Sequence, residues 1–165
     1  MKTLLLSAAL YFALLGCQSK SKTSNPEIQT VRAEGLIQKT EFNPYGYYFP
    51  DAKVKLKSTI LEWIFVATNE EDAHQTIEYV ELNLRDTVSE TKQIIKVDQF
   101  KITHDSFTLK INDSIVGSVI IENKYTGKNG PSNDDVKEGE TIVLTGTVIT
   151  DNSKYNVNYT WTAGD

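Results

Sequence analysis

Apolar and polar residues alternate at every second position through most of the chain from Glu27 onward. Val, Ile, Thr, Tyr and Phe dominate this region, and β-branched and aromatic side chains favour strands. A period of two places successive side chains on opposite faces of a sheet. The pattern therefore predicts an all-β domain of half-buried strands, and we find no segment with a convincing helical period.

Two hairpins are specific enough to predict a register. In residues 141–162, a two-residue turn at residues 152 and 153 would place Tyr159 opposite Gly146, so that the ring covers the glycine backbone. In residues 107–121, a three-residue loop at residues 112–114 would place Ile111 opposite Ile115 and Leu109 opposite Gly117. Each register keeps the apolar residues of both strands on one face.

The apolar residues of three longer segments change phase part-way along. The changes fall between residues 56 and 61, between 79 and 80, and between 97 and 100. Such changes indicate bulges, or strands that bend from one sheet toward another. We therefore predict an antiparallel β-sandwich of about eight strands, with a flattened β-barrel as the alternative. In the sandwich, the middle would be filled by Trp63, Phe65, Phe100, Phe107 and Trp161.

Two stretches of the domain resemble known β families. Residues 136–147, with the sequence VKEGETIVLTGT, and the later Tyr159-Thr160-Trp161 resemble the paired strands of immunoglobulin-like bacterial surface modules, which implies a sandwich. The consecutive hairpins and residues 100–121 resemble lipocalin-like lipoproteins, which implies a barrel. The Gly-x-Trp pattern that opens many lipocalins is missing, because Leu36 and Ile37 follow Gly35.

The first sixteen residues predict a signal peptide for export. Lys2 supplies a positive charge, residues 4–15 form an apolar stretch too short to span a bilayer, and Gly16 precedes Cys17. This arrangement resembles the signals of bacterial lipoproteins, which implies cleavage before Cys17 and a lipid on its sulfur. Two or three acyl chains anchor a protein almost permanently. Because Cys17 is the only cysteine, the folded domain would have no thiol for disulfides or catalysis.

Residues 17–26 contain no large apolar side chain and predict a flexible tether between the lipidated Cys17 and a single domain of residues 27–165. Of the 17 basic residues, Lys2, Lys20 and Lys22 precede the domain, which leaves 14 against 22 acidic residues and a formal charge of −8. This acidity argues against binding to nucleic acid. Gln18 after the cysteine implies, by the same resemblance, sorting to the outer membrane, and we expect the domain to face the periplasm.

Catalytic motifs are missing from the sequence. The chain has two histidines, His74 in an acidic segment and His104 at a predicted strand end, and no zinc-protease, nucleophile-elbow or phosphate-loop motif. We therefore predict a noncatalytic domain without a cofactor. We also predict no metal site. The best candidate is Asn133-Asp134-Asp135, whose oxygen donors suit Ca²⁺ but whose spacing fits no EF-hand loop.

Residues 42–50 contain five aromatic residues together with two prolines and a glycine. These features argue against a long regular strand, so some of the rings are expected on a connection. Large amphipathic rings on a connection suit a partner-binding surface, and the alternative is that they cover an open end of the core. The candidate binding loop consists of Phe42, Tyr45, Tyr47, Tyr48 and Phe49.

Taken together, the sequence predicts a lipid-anchored protein of the bacterial cell envelope whose β domain binds a protein or polysaccharide near the membrane. The alternative is a lipocalin-like carrier of a small apolar ligand. A carrier would need an apolar cavity of several hundred Å³.

Overall fold

The computed structural model describes residues 42–69, 76–127, 131 and 136–164. Their regular elements are β-strands, which confirms the prediction of an all-β domain. Within this part of the chain, no helix is long and apolar enough to cross a membrane. The strands are β1 (Gly46–Pro50), β2 (Val54–Leu56), β3 (Thr59–Thr68), β4 (Ile77–Asp86), β5 (Lys92–Lys96), β6 (Gln99–Ile102), β7 (Phe107–Asp113), β8 (Gly117–Tyr125), β9 (Ile142–Thr150) and β10 (Lys154–Thr162).

The strands belong to one antiparallel sheet that curls into a half-barrel. The order is β5-β4-β3-β1-β10-β9-β8-β7-β6, and β2 lies beside β3. The beginning and end of the described chain meet in the middle of this order, where Tyr48 of β1 pairs with Trp161 of β10. The strands at its two ends, β5 and β6, are consecutive in the chain, with only Val97 and Asp98 between them.

The core lies on the inner face of the curled sheet. Strands such as β7 and β8 alternate buried apolar residues with more exposed ones, as the period of two requires. Burying one large apolar side chain contributes about 1.5–3 kcal/mol. The largest side chains that are almost completely buried include Tyr48, Ile64, Leu82, Phe107 and Tyr159.

The second and third predicted changes of phase lie at or beside irregularities in the sheet, whereas the first, between residues 56 and 61, falls on the turn between β2 and β3 and misses the bulge that follows Leu61. The register between β3 and β4 shifts between Leu61 and Trp63, where Glu62 is an extra residue, and shifts again at Thr68. The third change falls at Val97 and Asp98, between β5 and β6. An extra residue in one strand reverses the faces on which the following side chains lie.

This reversal corrects the prediction for the middle of the domain. Trp63 and Phe65 lie on the outer face of the sheet, because Ile64 between them occupies the core. Phe107 is fully buried as predicted. Phe100 and Trp161 are partly buried against the core.

The predicted register of the β9–β10 hairpin is wrong by two residues. Its two-residue turn consists of Asp151 and Asn152, one position earlier than predicted, and the Thr150 N–H donates to the Ser153 carbonyl at 2.8 Å. Thr150 Oγ1 accepts hydrogen bonds from the N–H groups of Asn152 and Ser153, at 3.3 and 3.0 Å. As a result Val157, instead of Tyr159, lies opposite Gly146. A shift of two leaves every side chain on its predicted face.

The β7–β8 hairpin has a three-residue loop as predicted, but the loop is two positions later, at residues 114–116. Asp113 pairs with Gly117 and Ile111 with Val119, whereas Ile115 was expected opposite Ile111. Gly117 has a φ of +81°, a left-handed conformation that completes three-residue hairpin loops and favours glycine. The Asp113 carboxylate accepts the Ile115 N–H at 2.7 Å, which holds the loop at this position.

Candidate functional site

The outer surface of the first strands carries a group of aromatic side chains, which we call the aromatic face. They alternate with buried Tyr48, Ile64 and Val66, so the strand period directs them away from the core. Phe49 is 36% exposed and the others are half-buried. The aromatic face consists of Tyr45, which directly precedes β1, Tyr47 and Phe49 of β1, Trp63 and Phe65 of β3, and Tyr79 of β4.

Tyr47 is at the centre of this surface. Its ring centroid lies 4.6 Å from that of Phe65 and 6.5 Å from that of Phe49, and the ring planes differ by 31° and 28°. Trp63 is in edge contact with Tyr47, with the two centroids 6.5 Å apart. Tyr79 extends the group on the far side of Phe65, at a centroid distance of 6.0 Å. The rings therefore form one continuous apolar surface across three strands.

Lysines from β5 border the aromatic face. The Lys92 Nζ lies 5.4 Å from the centroid of the Trp63 ring, and the Lys96 Nζ lies 5.1 Å from that of Tyr79. Cations over ring faces are attracted by about 0.5–1 kcal/mol at exposed sites. Within the described residues neither ammonium has a carboxylate oxygen within 4.0 Å. Both lysines are therefore available to interact with a bound molecule.

Acidic groups are interspersed with these lysines. Arg85 Nε donates to Glu62 Oε1 at 2.7 Å at the β3 bulge. Desolvation raises the pKa of Tyr79, and the charges of Glu81 and Glu78 raise it further. The rim of the aromatic face therefore carries charges of both signs.

A buried amide lies within this surface. Asn83 of β4 pairs with Trp63 on one side and with Ile94 on the other, which puts it on the outer face between an aromatic ring and an exposed aliphatic side chain. Asn83 is only 6% exposed, and its Oδ1 has no hydrogen-bond partner among the described residues. A buried acceptor without a partner costs about 1–3 kcal/mol. Asn83 therefore has a buried side-chain oxygen without a hydrogen bond, beside an aromatic ring.

The predicted binding loop divides between this surface and the core. Tyr45, Tyr47 and Phe49 lie on the aromatic face, whereas Phe42 and Tyr48 are buried. The Tyr48 hydroxyl donates to the Pro44 carbonyl at 2.7 Å and lies 3.2 Å from the Tyr125 hydroxyl. The segment is a connection up to residue 45 and a strand from residue 46, so alternation decides which rings are exposed.

Sequence reasoning missed the contributions of Trp63, Phe65, Tyr79 and Asn83 to this site. The available signal was a further break in the alternation between Leu61 and Ile64, which reverses the faces of β3. When the position of the bulge is not known, the large apolar side chains of Trp63 and Phe65 are expected in the core. Several other predicted residues, namely Cys17, His74, Asn133, Asp134 and Asp135, lie outside the described residues.

The outer surface of β7 to β10 differs from the aromatic face. A row of paired positions crosses these four strands and is polar throughout. Its members are Thr108, Glu122, Thr147 and Asn156. The aromatic rings are therefore concentrated on one part of the outer surface.

The described residues also form a pocket and a histidine–aspartate pair away from the aromatic face. A pocket of about 240 Å³ is bordered by Lys55, Lys57, Asp151 and Tyr155 at the turns beside β2 and β10. The His104 Nε2 lies 2.8 Å from Asp105 Oδ2, and both side chains are well exposed. Within the described part of the chain, no group of three or more His, Cys, Asp and Glu side chains is arranged to hold a metal ion.

Comparison with known proteins gives no significant match by family model, by curated sequence or by solved structure. We therefore infer the function from the chemistry of the site. That chemistry consists of apolar ring area, two bordering ammonium groups and one buried amide oxygen, which are groups suited to noncovalent binding.

Proposed function

We propose that this protein is a lipid-anchored protein of the bacterial cell envelope whose β domain is a noncatalytic binding module. The observation that carries the proposal is the aromatic face on the outside of β1, β3 and β4. The binding surface in this proposal is formed by strands, with Tyr47 at its centre.

The distribution of rings supports a binding role. Aromatic side chains are enriched at the centres of binding surfaces, where each contributes a large contact area. A scattered exposed apolar residue needs no explanation, but a contiguous group with a polar rim marks an interaction site. The polar row across β7 to β10 provides the contrast within the same domain, because a sheet needs no aromatic cover on its outer face to be stable.

The proposed anchor restricts the partner to the envelope. Lipid on Cys17 would hold the protein at a membrane surface, and the tether of residues 17–26 has an average reach of roughly 15–20 Å. We place the anchor in the outer membrane and the domain in the periplasm. The acidic domain would be repelled by anionic headgroups, which leaves the aromatic face free for a partner.

For the fold itself we propose the flattened barrel instead of the sandwich. β1 and β2 act as one strand interrupted at residues 51–53, and β5 and β6 act as one strand bent at Val97 and Asp98. Every strand then lies beside its neighbours in the chain, and β10 pairs with β1, which is the connectivity of an eight-stranded meander. A barrel of this size has an interior that side chains can fill, and Tyr48, Phe107 and Tyr159 do occupy the inner face. A filled interior favours partner binding on the outside over a carrier function.

In-cell photo-crosslinking of the full-length chain tests the proposal. A photoreactive phenylalanine analogue at Phe49 should give a discrete crosslinked product with an envelope component after illumination. The same analogue at Thr147, on the polar row, is the matched control and should give none. Equal products, or no product, from the two positions would contradict a binding role for the aromatic face.

A further inference from the structure

We infer that the aromatic face binds a neutral glycan chain of pyranose sugars, with the Asn83 side chain accepting a hydrogen bond from a sugar hydroxyl or amide. This inference rests on the proposed function and specifies the ligand class for the same surface.

The buried amide oxygen of Asn83 is the first argument. An apolar ligand that covered Trp63 and Ile94 would leave Oδ1 unpaired and would still bear the cost of burying it. A ligand with both an apolar surface and hydrogen-bond donors removes that cost when it binds. A pyranose ring has this combination, because its C–H groups form an apolar face and its hydroxyl groups project around the rim.

The edge strand β5 lies beside Asn83 and offers a route to that oxygen. Asn83 Oδ1 is covered in the unliganded protein. Its neighbour Ile94 on β5 is 62% exposed, and Lys92 on the same strand is exposed with its ammonium over the Trp63 ring. Long side chains at exposed positions change rotamer at low cost and within nanoseconds. We therefore place the entry to Asn83 between Lys92 and Ile94.

The row of rings is the second argument. Phe49, Tyr47 and Phe65 follow one another with ring planes within 31° of each neighbour. Such a row offers repeated apolar contacts to an extended ligand, and a glycan chain presents a repeated apolar face. Tyr hydroxyls and lysine ammonium groups around the rings can bond to sugar oxygens. This surface therefore suits several consecutive sugar units.

The charges indicate a neutral chain. Lys92, Lys96 and Arg85 are balanced locally by Glu62, Glu78 and Glu81, all within or beside β3, β4 and β5. The whole domain is acidic, which disfavours an anionic polysaccharide at long range. A lipid surface would satisfy the rings but would offer no donor to Asn83 in the bilayer interior. A protein partner is the remaining alternative, and the experiment distinguishes it.

The test uses full-length lipidated protein in a detergent without a sugar headgroup. Cellohexaose, maltohexaose and chitohexaose are titrated separately, and binding is followed by calorimetry and by tryptophan fluorescence, since Trp63 lies in the site. Binding of at least one hexasaccharide should be detected at sugar concentrations up to the millimolar range. Asn83→Leu should weaken that binding about tenfold, the effect expected from one lost hydrogen bond. The control Asn156→Leu, on the polar row, should bind like the wild type.

Each result has a defined meaning. Binding that Asn83→Leu weakens and Asn156→Leu does not would support the glycan site. No binding of any of the three hexasaccharides, or equal affinity in wild type and Asn83→Leu, would overturn it. If the hexasaccharides fail but the analogue at Phe49 still crosslinks to a protein, the glycan inference is wrong and the proposed binding function stands. If both fail, the proposed function fails as well. A thermal midpoint for Asn83→Leu close to that of the wild type shows that the variant is folded.

Discussion

Asn123 of β8 lies directly opposite Gly146 of β9, and its side chain occupies the space that a Cβ on Gly146 would need. Such a Cβ would overlap the Asn123 amide oxygen and the carbonyl oxygen of Glu122. Asn123 is 3% exposed, and neither of its side-chain polar atoms has a hydrogen-bond partner among the described residues. The close approach of these two strands therefore depends on a glycine at position 146.

The first prediction follows from this contact. Gly146→Ala should lower the free energy of unfolding by about 1–3 kcal/mol, because overpacking against backbone forces the strands apart. Urea denaturation measures the change. Gly127→Ala is the matched control, since a Cβ at residue 127 meets no atom within 4 Å and should change stability little. Similar losses in both variants would contradict this account of Gly146.

The second prediction compares two adjacent residues on opposite faces of β1. Tyr48→Ala should lower the free energy of unfolding by about 3–5 kcal/mol, because it removes a fully buried ring. Phe49→Ala should lower it by less than about 1 kcal/mol, because the ring is exposed on the aromatic face. Denaturation measures both, and Phe49→Ala should also weaken partner binding. A large loss of stability with unchanged binding in Phe49→Ala would assign that ring to the core.

The third prediction concerns alkaline pH. Burial raises the pKa of Tyr48, Tyr125 and Tyr159 above the ordinary value of 10.0. The Asn123 side chain lies close enough to Tyr159 to lower the pKa of that hydroxyl slightly, although the geometry falls short of a hydrogen bond. Above pH 10 the tyrosines of the unfolded chain lose protons while the buried ones keep theirs, so the folded state loses stability as pH rises.

Each of these buried tyrosines should contribute a decrease of about 1.4 kcal/mol in unfolding free energy per pH unit above 10. Tyr159→Phe should reduce the slope by that amount. At neutral pH the variant should be close to the wild type in stability, because it removes a hydroxyl without a hydrogen-bond partner. Denaturation at a series of pH values measures both quantities, and an unchanged slope in Tyr159→Phe would show that Tyr159 ionises freely in the folded protein.

The fourth prediction tests the anchor. Cys17→Ser should abolish incorporation of a labelled fatty acid in bacterial cells and release the protein from the membrane fraction, because the acyl chains supply the membrane affinity. Ser21→Ala, in the same tether, should leave labelling and fractionation unchanged. Label retained in Cys17→Ser would rule out Cys17 as the lipidation site.

Local pattern predicted strands well and registers less well. The alternation of apolar residues identified β7 to β10 and the faces of their side chains, because that alternation depends only on the strand period. It did not identify the turn at Asp151 and Asn152, since a shift of two residues keeps the same face and the pattern cannot distinguish the two registers. Hydrogen bonds from the backbone to Thr150 and Asp113 decide the positions of the two hairpin loops.

The candidate site was predicted only in part, and for a related reason. Tyr45, Tyr47 and Phe49 were recognised from the density of aromatic residues in the sequence. Tyr48 was grouped with them, although in a strand its side chain lies on the face opposite to those of Tyr47 and Phe49. Trp63 and Phe65 were expected in the core. Which face they occupy depends on the single extra residue at Glu62, because one inserted residue exchanges the two faces of the strand.

The sequence by itself determined that the described part of the chain is all-β with a period of two, and it provided the basis for expecting an anchor at Cys17. Only the tertiary structure decided that rings from β1, β3 and β4 meet on one outer surface beside Asn83. Alternation is a local property of each strand, whereas the meeting of Tyr47 with Phe65 depends on strand order and register. Those are set by packing and hydrogen bonds between residues far apart in the chain.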